Sequence, residues 1–206
     1  MRVGRRAVNY RFYDFAKFVV GTMARTFWRA RVFGTGNVPA GGPLIVACNH
    51  VSYFDPPLLG SLCPRRIRYM AKKELFAMPV LGPVIRALGA YPVDRHGSAT
   101  AAIKRSLQVL ESGGAVGIFP EGTRNPKGLV TPQFGAALLA ALAQAPVVPA
   151  CVCGSERAPT LAKISVAFGA ALSPPVRKAT RDDLAKFTAE IMKAIETLAE
   201  SIHGNS

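Results

Sequence analysis

Acidic residues are scarce in this chain of 206 residues: 12 Asp and Glu stand against 26 Lys and Arg, a net charge of +14. Such a balance excludes a cationic partner and points to an anionic one, whether acidic lipid, nucleic acid, an acidic protein or a phosphorylated substrate. The four cysteines, at 48, 63, 151 and 153, form no C-x-x-C pair, and none of the three histidines stands at a zinc-ligand spacing. No structural metal site is expected, and buried, reduced thiols suit the apolar surroundings of these cysteines better than disulfides. A secretory leader is not expected, because the first uncharged apolar run, "FVVGTMA", is short and is bracketed by Lys17 and Arg25. Residues 129–155 carry no charge over a length that would span a bilayer, but Pro132, Pro146 and Pro149 divide them into a turn, a short apolar helix and a buried strand.

What is present is enough for one sizeable core and too little for two. Half of the net charge falls within residues 1–31, where Arg2, Arg5, Arg6, Arg11, Lys17, Arg25, Arg29 and Arg31 are offset only by Asp14. From about Asn9 to Arg31 the pattern is helical, gathering Phe12, Phe15, Ala16, Val19, Val20, Met23, Phe27 and Ala30 on one face opposite the charges. Two readings stay open: a basic amphipathic helix on an anionic membrane surface, or a helix packed on the core with a solvated basic face. We treat 1–31 as a membrane-associating segment and 32–206 as the main domain.

Beyond the turn "GTGNVPAGG", short β-branched runs alternate with helical stretches, among them "LIVAC", "PPLLGSL", "RIRYMA", "ATAAIKRSLQVLES", "AVGIFP" and "VVPACVC", and residues 181–202 read as a closing helix. This alternation predicts a single-domain α/β fold, a largely parallel sheet covered by helices.

Chemistry concentrates in the turns. In "NHVSYFD", His50 and Asp55 flank a strand-to-helix turn, at the sheet edge where open α/β folds bind ligands. There an imidazole can take a proton from a hydroxyl while a carboxylate fixes its tautomer. The same residues would also serve as a helix cap and a hydrogen-bonded turn. In "IFPEGTRN", the amides around Gly122, the Thr123 hydroxyl and the Arg124 guanidinium make a phosphate cradle without Walker spacing. Glu121 beside them either pairs with Arg124 or accepts from a substrate hydroxyl. Arg95 and Lys72 also follow strand ends, which parallel strands bring to one edge.

"NHVSYFD", "LGAYPVDR", "FPEGTRN" and "APVVPACV", in this order and spacing over residues 35–155, resemble the four motifs of the glycerophospholipid acyltransferase family, and within it those of bacterial enzymes acting on 1-acylglycerol 3-phosphate. The resemblance implies that His50 is the general base on the free hydroxyl of a lyso-lipid, with Asp55 orienting it. It implies that Arg124, with Arg95 and Lys72, holds the acceptor phosphate, and that Glu121 and Gly122 shape that site. The donor would be a thioester, acyl-CoA or acyl-ACP, as co-substrate; no cofactor and no acyl-cysteine intermediate are implied. The acceptor would be lysophosphatidic acid, or else another lysophospholipid, a lyso-ornithine lipid or dihydroxyacetone phosphate, and the enzyme would sit peripherally or monotopically on the cytoplasmic face of the cell membrane. One departure is "TPQFG" at 131–135, where many relatives carry a lysine-bearing segment. A non-catalytic module for acidic membranes or nucleic acid is the competing class. Nucleic acid is not expected, because aromatic residues are not interleaved with the basic ones in an RNA-binding pattern.

Overall fold

A computed structural model of the chain describes residues 8–93, 100–125 and 130–203. In order the elements are α1 (Tyr10–Phe27), β1 (Arg31–Phe33), β2 (Leu44–Cys48), α2 (Asp55–Leu62), β3 (Ile67–Lys72), α3 (Leu81–Ala87), β4 (Tyr91–Val93), α4 (Thr100–Glu111), β5 (Ala115–Ile118), α5 (Gly135–Ala143), β6 (Val147–Cys153), β7 (Ser165–Phe168) and α6 (Arg181–His203), with short 3₁₀ turns between some of them. The strands form one sheet in the order β1-β7-β6-β2-β5-β3-β4. Strands β2 to β6 are parallel, as the alternation predicts, while β7 runs antiparallel to β6 and β1 pairs parallel with β7. The reversal follows from the link between β6 and β7, which has a 3₁₀ turn but no crossover helix.

Strand β2 is buried on both sides, which explains its unbroken apolar sequence. Leu44, Val46 and Cys48 pack toward Leu58, Leu59 and Leu62 of α2 and Ala24 of α1. Ile45 and Ala47 face the opposite layer, where α4, α5 and α6 contribute Leu110, Leu139 and Ile191. The uncharged stretch resolves as expected into α5 and β6. Among the described residues no helix is long and apolar enough to cross a membrane. None of the four cysteines is in a disulfide, and Cys151 and Cys153 lie side by side on β6 with sulfurs 3.3 Å apart.

The N-terminal helix forms where its cap suggests, with the Asn9 side chain accepting from the Phe12 amide, but it ends at Phe27 and the chain then enters β1. The boundary drawn at residue 31 therefore falls at the first residue of that strand. Its faces also differ from those the periodicity assigns. Tyr13, Gly21 and Ala24 are the buried positions, whereas Phe15, on the apolar face by periodicity, is 64% exposed; Phe18, which the periodicity sets on the polar side, is 71% exposed. Small residues at 21 and 24 let α1 approach α2 closely; a Cβ on Gly21 would sit 3.5 Å from the Ser61 carbonyl oxygen. Lys17, assigned to the solvent side, turns inward and donates to the carbonyls of Cys63 at 2.5 Å and Pro64 at 3.2 Å, just past the end of α2. Tyr13 ties the helix to the sheet, its hydroxyl accepting from the Ile67 amide at 2.8 Å and donating to the Ile67 carbonyl at 3.1 Å.

Candidate active site

Where β2 ends, the side chain of Asn49 continues its pairing. Asn49 Nδ2 donates to the Val152 carbonyl at 2.9 Å and Oδ1 accepts from the Val152 amide at 2.8 Å, so the turn that follows is pinned to β6. His50 is next in the chain. Its Nδ1 lies 2.9 Å from Asp55 Oδ2, and the same oxygen accepts from the amides of Val51 at 2.7 Å and Ser52 at 2.8 Å. Asp55 opens α2, with Pro56 and Pro57 in the first turn, yet its carboxylate reaches back to the preceding turn and makes no helix cap. The capping alternative is thus set aside.

Asp55 is fully buried and the His50 side chain is 15% exposed. A carboxylate on the Nδ1 side calls for a proton there, which leaves the Nε2 lone pair as the reactive end of the ring. The imidazole stacks on Phe119, ring centroids 4.2 Å apart, and Phe119 stacks in turn on Tyr69 at 5.9 Å. These rings hold the imidazole plane.

The turn after β5 is bonded directly to the His50 turn. Asn125 donates its amide to the His50 carbonyl at 2.6 Å, and the His50 amide points to Glu121 Oε1 at 3.4 Å. Gly122 takes a φ of 66°, a left-handed conformation suited to glycine, and spends its amide on the Phe119 carbonyl at 2.9 Å. That amide, and the one at Asn125, are consumed inside the scaffold, so the cradle expected from the amides around Gly122 is narrower than the sequence suggests. Thr123 and Arg124 stand exposed beyond it.

Glu121 is 6% exposed, its Oε2 has no hydrogen-bond partner among the described residues, and burial raises its carboxyl above the usual range. It makes no ion pair with Arg124, whose Cζ instead sits 3.7 Å above the Tyr53 ring. Of the two roles open to Glu121, the ion pair with Arg124 is the one this arrangement does not form. Lys72 ends β3 on the same sheet edge; continuing the β3–β5 register sets it level with Pro120, exposed and without a described contact to His50, Glu121 or Arg124. Arg95 lies outside the described residues.

Asn49 and Ser155 are among the residues at the site that were not anticipated. Asn49 carried a faint signal, as a polar residue ending an apolar strand. Ser155 carried none: its hydroxyl donates to Asp55 Oδ1 at 2.5 Å across a separation of 100 residues.

Known proteins resemble this chain in sequence and in fold. A family model described as acyltransferase matches residues 29–153. The 1-acyl-sn-glycerol-3-phosphate acyltransferase of Bacillus subtilis is 37% identical over 134 residues, 65% of this chain and 67% of that protein. The enzyme of that name from Streptococcus pneumoniae is 35% identical over 107 residues, 51% of this chain and 39% of its own length. The human beta form is 34% identical over 111 residues, covering 52% and 40%. The chain thus spans well under half the length of these last two relatives. Among solved structures, the 1-acyl-sn-glycerophosphate (LPA) acyltransferase PlsC of Thermotoga maritima shares the fold, with a TM-score of 0.69 at 23% identity over 94% of this chain and 86% of that one.

Proposed function

The chain belongs to the acyltransferase family, and we propose that it moves an acyl chain from a thioester to the sn-2 hydroxyl of 1-acyl-sn-glycerol 3-phosphate, yielding phosphatidic acid. The observation that carries this reading is the His50–Asp55 pair at 2.9 Å, set at the carboxyl edge of a parallel sheet beside an unpaired carboxylate oxygen and an exposed guanidinium. His50 Nε2 takes the hydroxyl proton while the oxygen attacks the thioester carbonyl. The new C–O bond forms, the C–S bond breaks, and the imidazolium returns the proton to the departing thiolate. Asp55 steadies the imidazolium in between, a role for which its buried carboxylate is held by hydrogen bonds from both neighbouring turns.

Arg124 is the natural partner of the acceptor phosphate. Stacked over Tyr53, the guanidinium keeps its edge donors in plane for bidentate contact. Lys72 adds positive charge on that edge and Arg95 is a further cation for the same phosphate, while Glu121, whose Oε1 faces the His50 amide, shapes the acceptor site and leaves the single sn-2 hydroxyl proton to His50 Nε2. The donor is an acyl-CoA or acyl-ACP, both of which present the same thioester.

The lipid substrate is taken from an anionic membrane surface to which the protein binds peripherally on the cytoplasmic face. Support comes from the outward side of α1, where Phe15 and Phe18 meet solvent instead of core, and from the tip around α3, where Met78, Val80, Leu81 and Val84 are exposed. Apolar surface of this kind, on a chain of charge +14, suits a bilayer carrying acidic lipids.

The test is acyl transfer from labelled acyl-CoA and from acyl-ACP to lysophosphatidic acid, and to lyso-lipids without a phosphate monoester. His50→Ala should abolish turnover and leave vesicle binding intact, and Arg124→Ala should raise KM for the phosphate-bearing acceptor. Turnover retained by His50→Ala would remove the mechanism. Wild-type silence with every donor and acceptor would remove the activity.

A further inference from the structure

We propose that Ser155 is a positioning residue for acyl transfer, acting through Asp55, an inference that rests on the general-base reading of His50. The two oxygens of the Asp55 carboxylate are used differently. Oδ2 receives His50 Nδ1 and the amides of Val51 and Ser52, whereas Oδ1 receives the Ser155 hydroxyl alone among the described contacts. Both side chains are fully buried, so no solvent replaces that donor if it is lost. Three bonds converging on Oδ2 fix one oxygen only, and the carboxylate can still pivot about it through concerted side-chain torsions. The bond to Oδ1 supplies a second fixed point that stops this pivot and keeps the Oδ2 lone pairs aimed at the imidazole.

The backbone that presents Ser155 is itself rigid. It follows β6 through Gly154, whose φ of 83° and 2.3 Å approach of a notional Cβ to the Lys163 carbonyl oxygen admit no side chain. The Gly154 carbonyl then accepts from the Arg157 amide at 3.1 Å as the 3₁₀ turn begins. The His50 turn is consequently clamped at two points, Asn49 on Val152 of β6 and Asp55 on Ser155 in the 3₁₀ turn that follows it. The second clamp lies two residues beyond the segment matched by the acyltransferase family model, which ends at 153.

The experiment compares wild type, Ser155→Ala and Ser155→Cys, the last keeping the side-chain volume with a weaker donor. Two readings are taken on each: steady-state kinetics with acyl-CoA and lysophosphatidic acid, and the proton NMR resonance of His50 Nδ1–H in the substrate-free protein, a signal identified by its loss in His50→Ala. Ser155→Ala should lower kcat by about 10- to 100-fold, the scale of a misplaced reacting group, keep both KM values within about twofold of wild type, and move the Nδ1 resonance. Ser155→Cys should fall between, and it stands in if the alanine variant fails to fold. A folded Ser155 variant with wild-type kcat, a loss confined to KM, or an unmoved resonance would overturn the proposal. The NMR reading needs no substrate, so a wild type silent with every lipid would refute the proposed activity without deciding the role of Ser155.

Discussion

The side chain of Asn49 does for Val152 what a strand residue would do, meeting both its carbonyl and its amide within 2.9 Å. Asn49→Ala leaves two backbone groups of a fully buried residue unpaired, at a cost of about 1–3 kcal/mol for each such group. We expect a lower denaturant midpoint together with a fall in kcat, since His50 is the next residue. Asn49→Asp keeps the shape, loses the donor and turns a charge toward the Val152 carbonyl, so it should be no milder. Urea unfolding followed by circular dichroism checks both, and a wild-type midpoint for either variant would contradict the clamp.

Glu121→Gln separates stability from activity. Burial raises the Glu121 carboxyl, so the fold favours its neutral form. The associated stability is present below the unfolded carboxylate value and is lost as pH rises through the folded one. At neutral pH the glutamine variant should therefore melt a few degrees higher than wild type, and the gap should close at acid pH. Acceptor KM should rise, because an amide replaces the carboxylate that shapes the acceptor site. Melting curves at several pH values decide the first part, and identical curves at neutral pH would count against the buried unpaired oxygen.

Tyr13→Phe removes the hydroxyl that joins α1 to the first residue of β3. It leaves the Ile67 amide without that partner and should cost about 1–3 kcal/mol. Burial pushes Tyr13 and Tyr91 from an ordinary value near 10 up to about 12. The stability linked to them is complete below about pH 10 and drains away as pH climbs toward 12. Unfolding titrations between pH 8 and 11 should show this decline in the wild type and a shallower one in Tyr13→Phe; parallel declines would exclude Tyr13 from the linkage.

The outward face of α1 is tested with Phe15→Asp and Phe18→Asp, and the tip around α3 with Val80→Asp. All three positions are exposed, so folding stability should stay within about 0.5 kcal/mol of wild type. Vesicle binding should weaken roughly tenfold or more for each phenylalanine, given about 1.5–3 kcal/mol for burying such a side chain. Sedimentation with vesicles rich in acidic lipid, at low and high salt, provides the reading. Binding unchanged by the phenylalanine substitutions would defeat the membrane role of this face.

Local pattern was sufficient for much of this. Apolar runs bounded by turns marked β2, β5 and β6, paired prolines marked the start of α2, and the five-residue spacing of His50 and Asp55 pointed to a pair that the fold joins at 2.9 Å, because each of these is decided within a few residues of chain. Position along a helix was less informative: Lys17 and Phe15 exchanged the roles periodicity assigned, since packing against α2 selected the small residues at 21 and 24 and left the phenylalanines outside. Strand β1 is only three residues long and forms because β7 is there to receive it. Tertiary structure alone could bring Ser155 to Asp55 and Val152 to Asn49. A hydrogen bond between residues 100 apart depends on the sheet order that sets β6 beside β2, and nothing in the residues around either partner encodes that order.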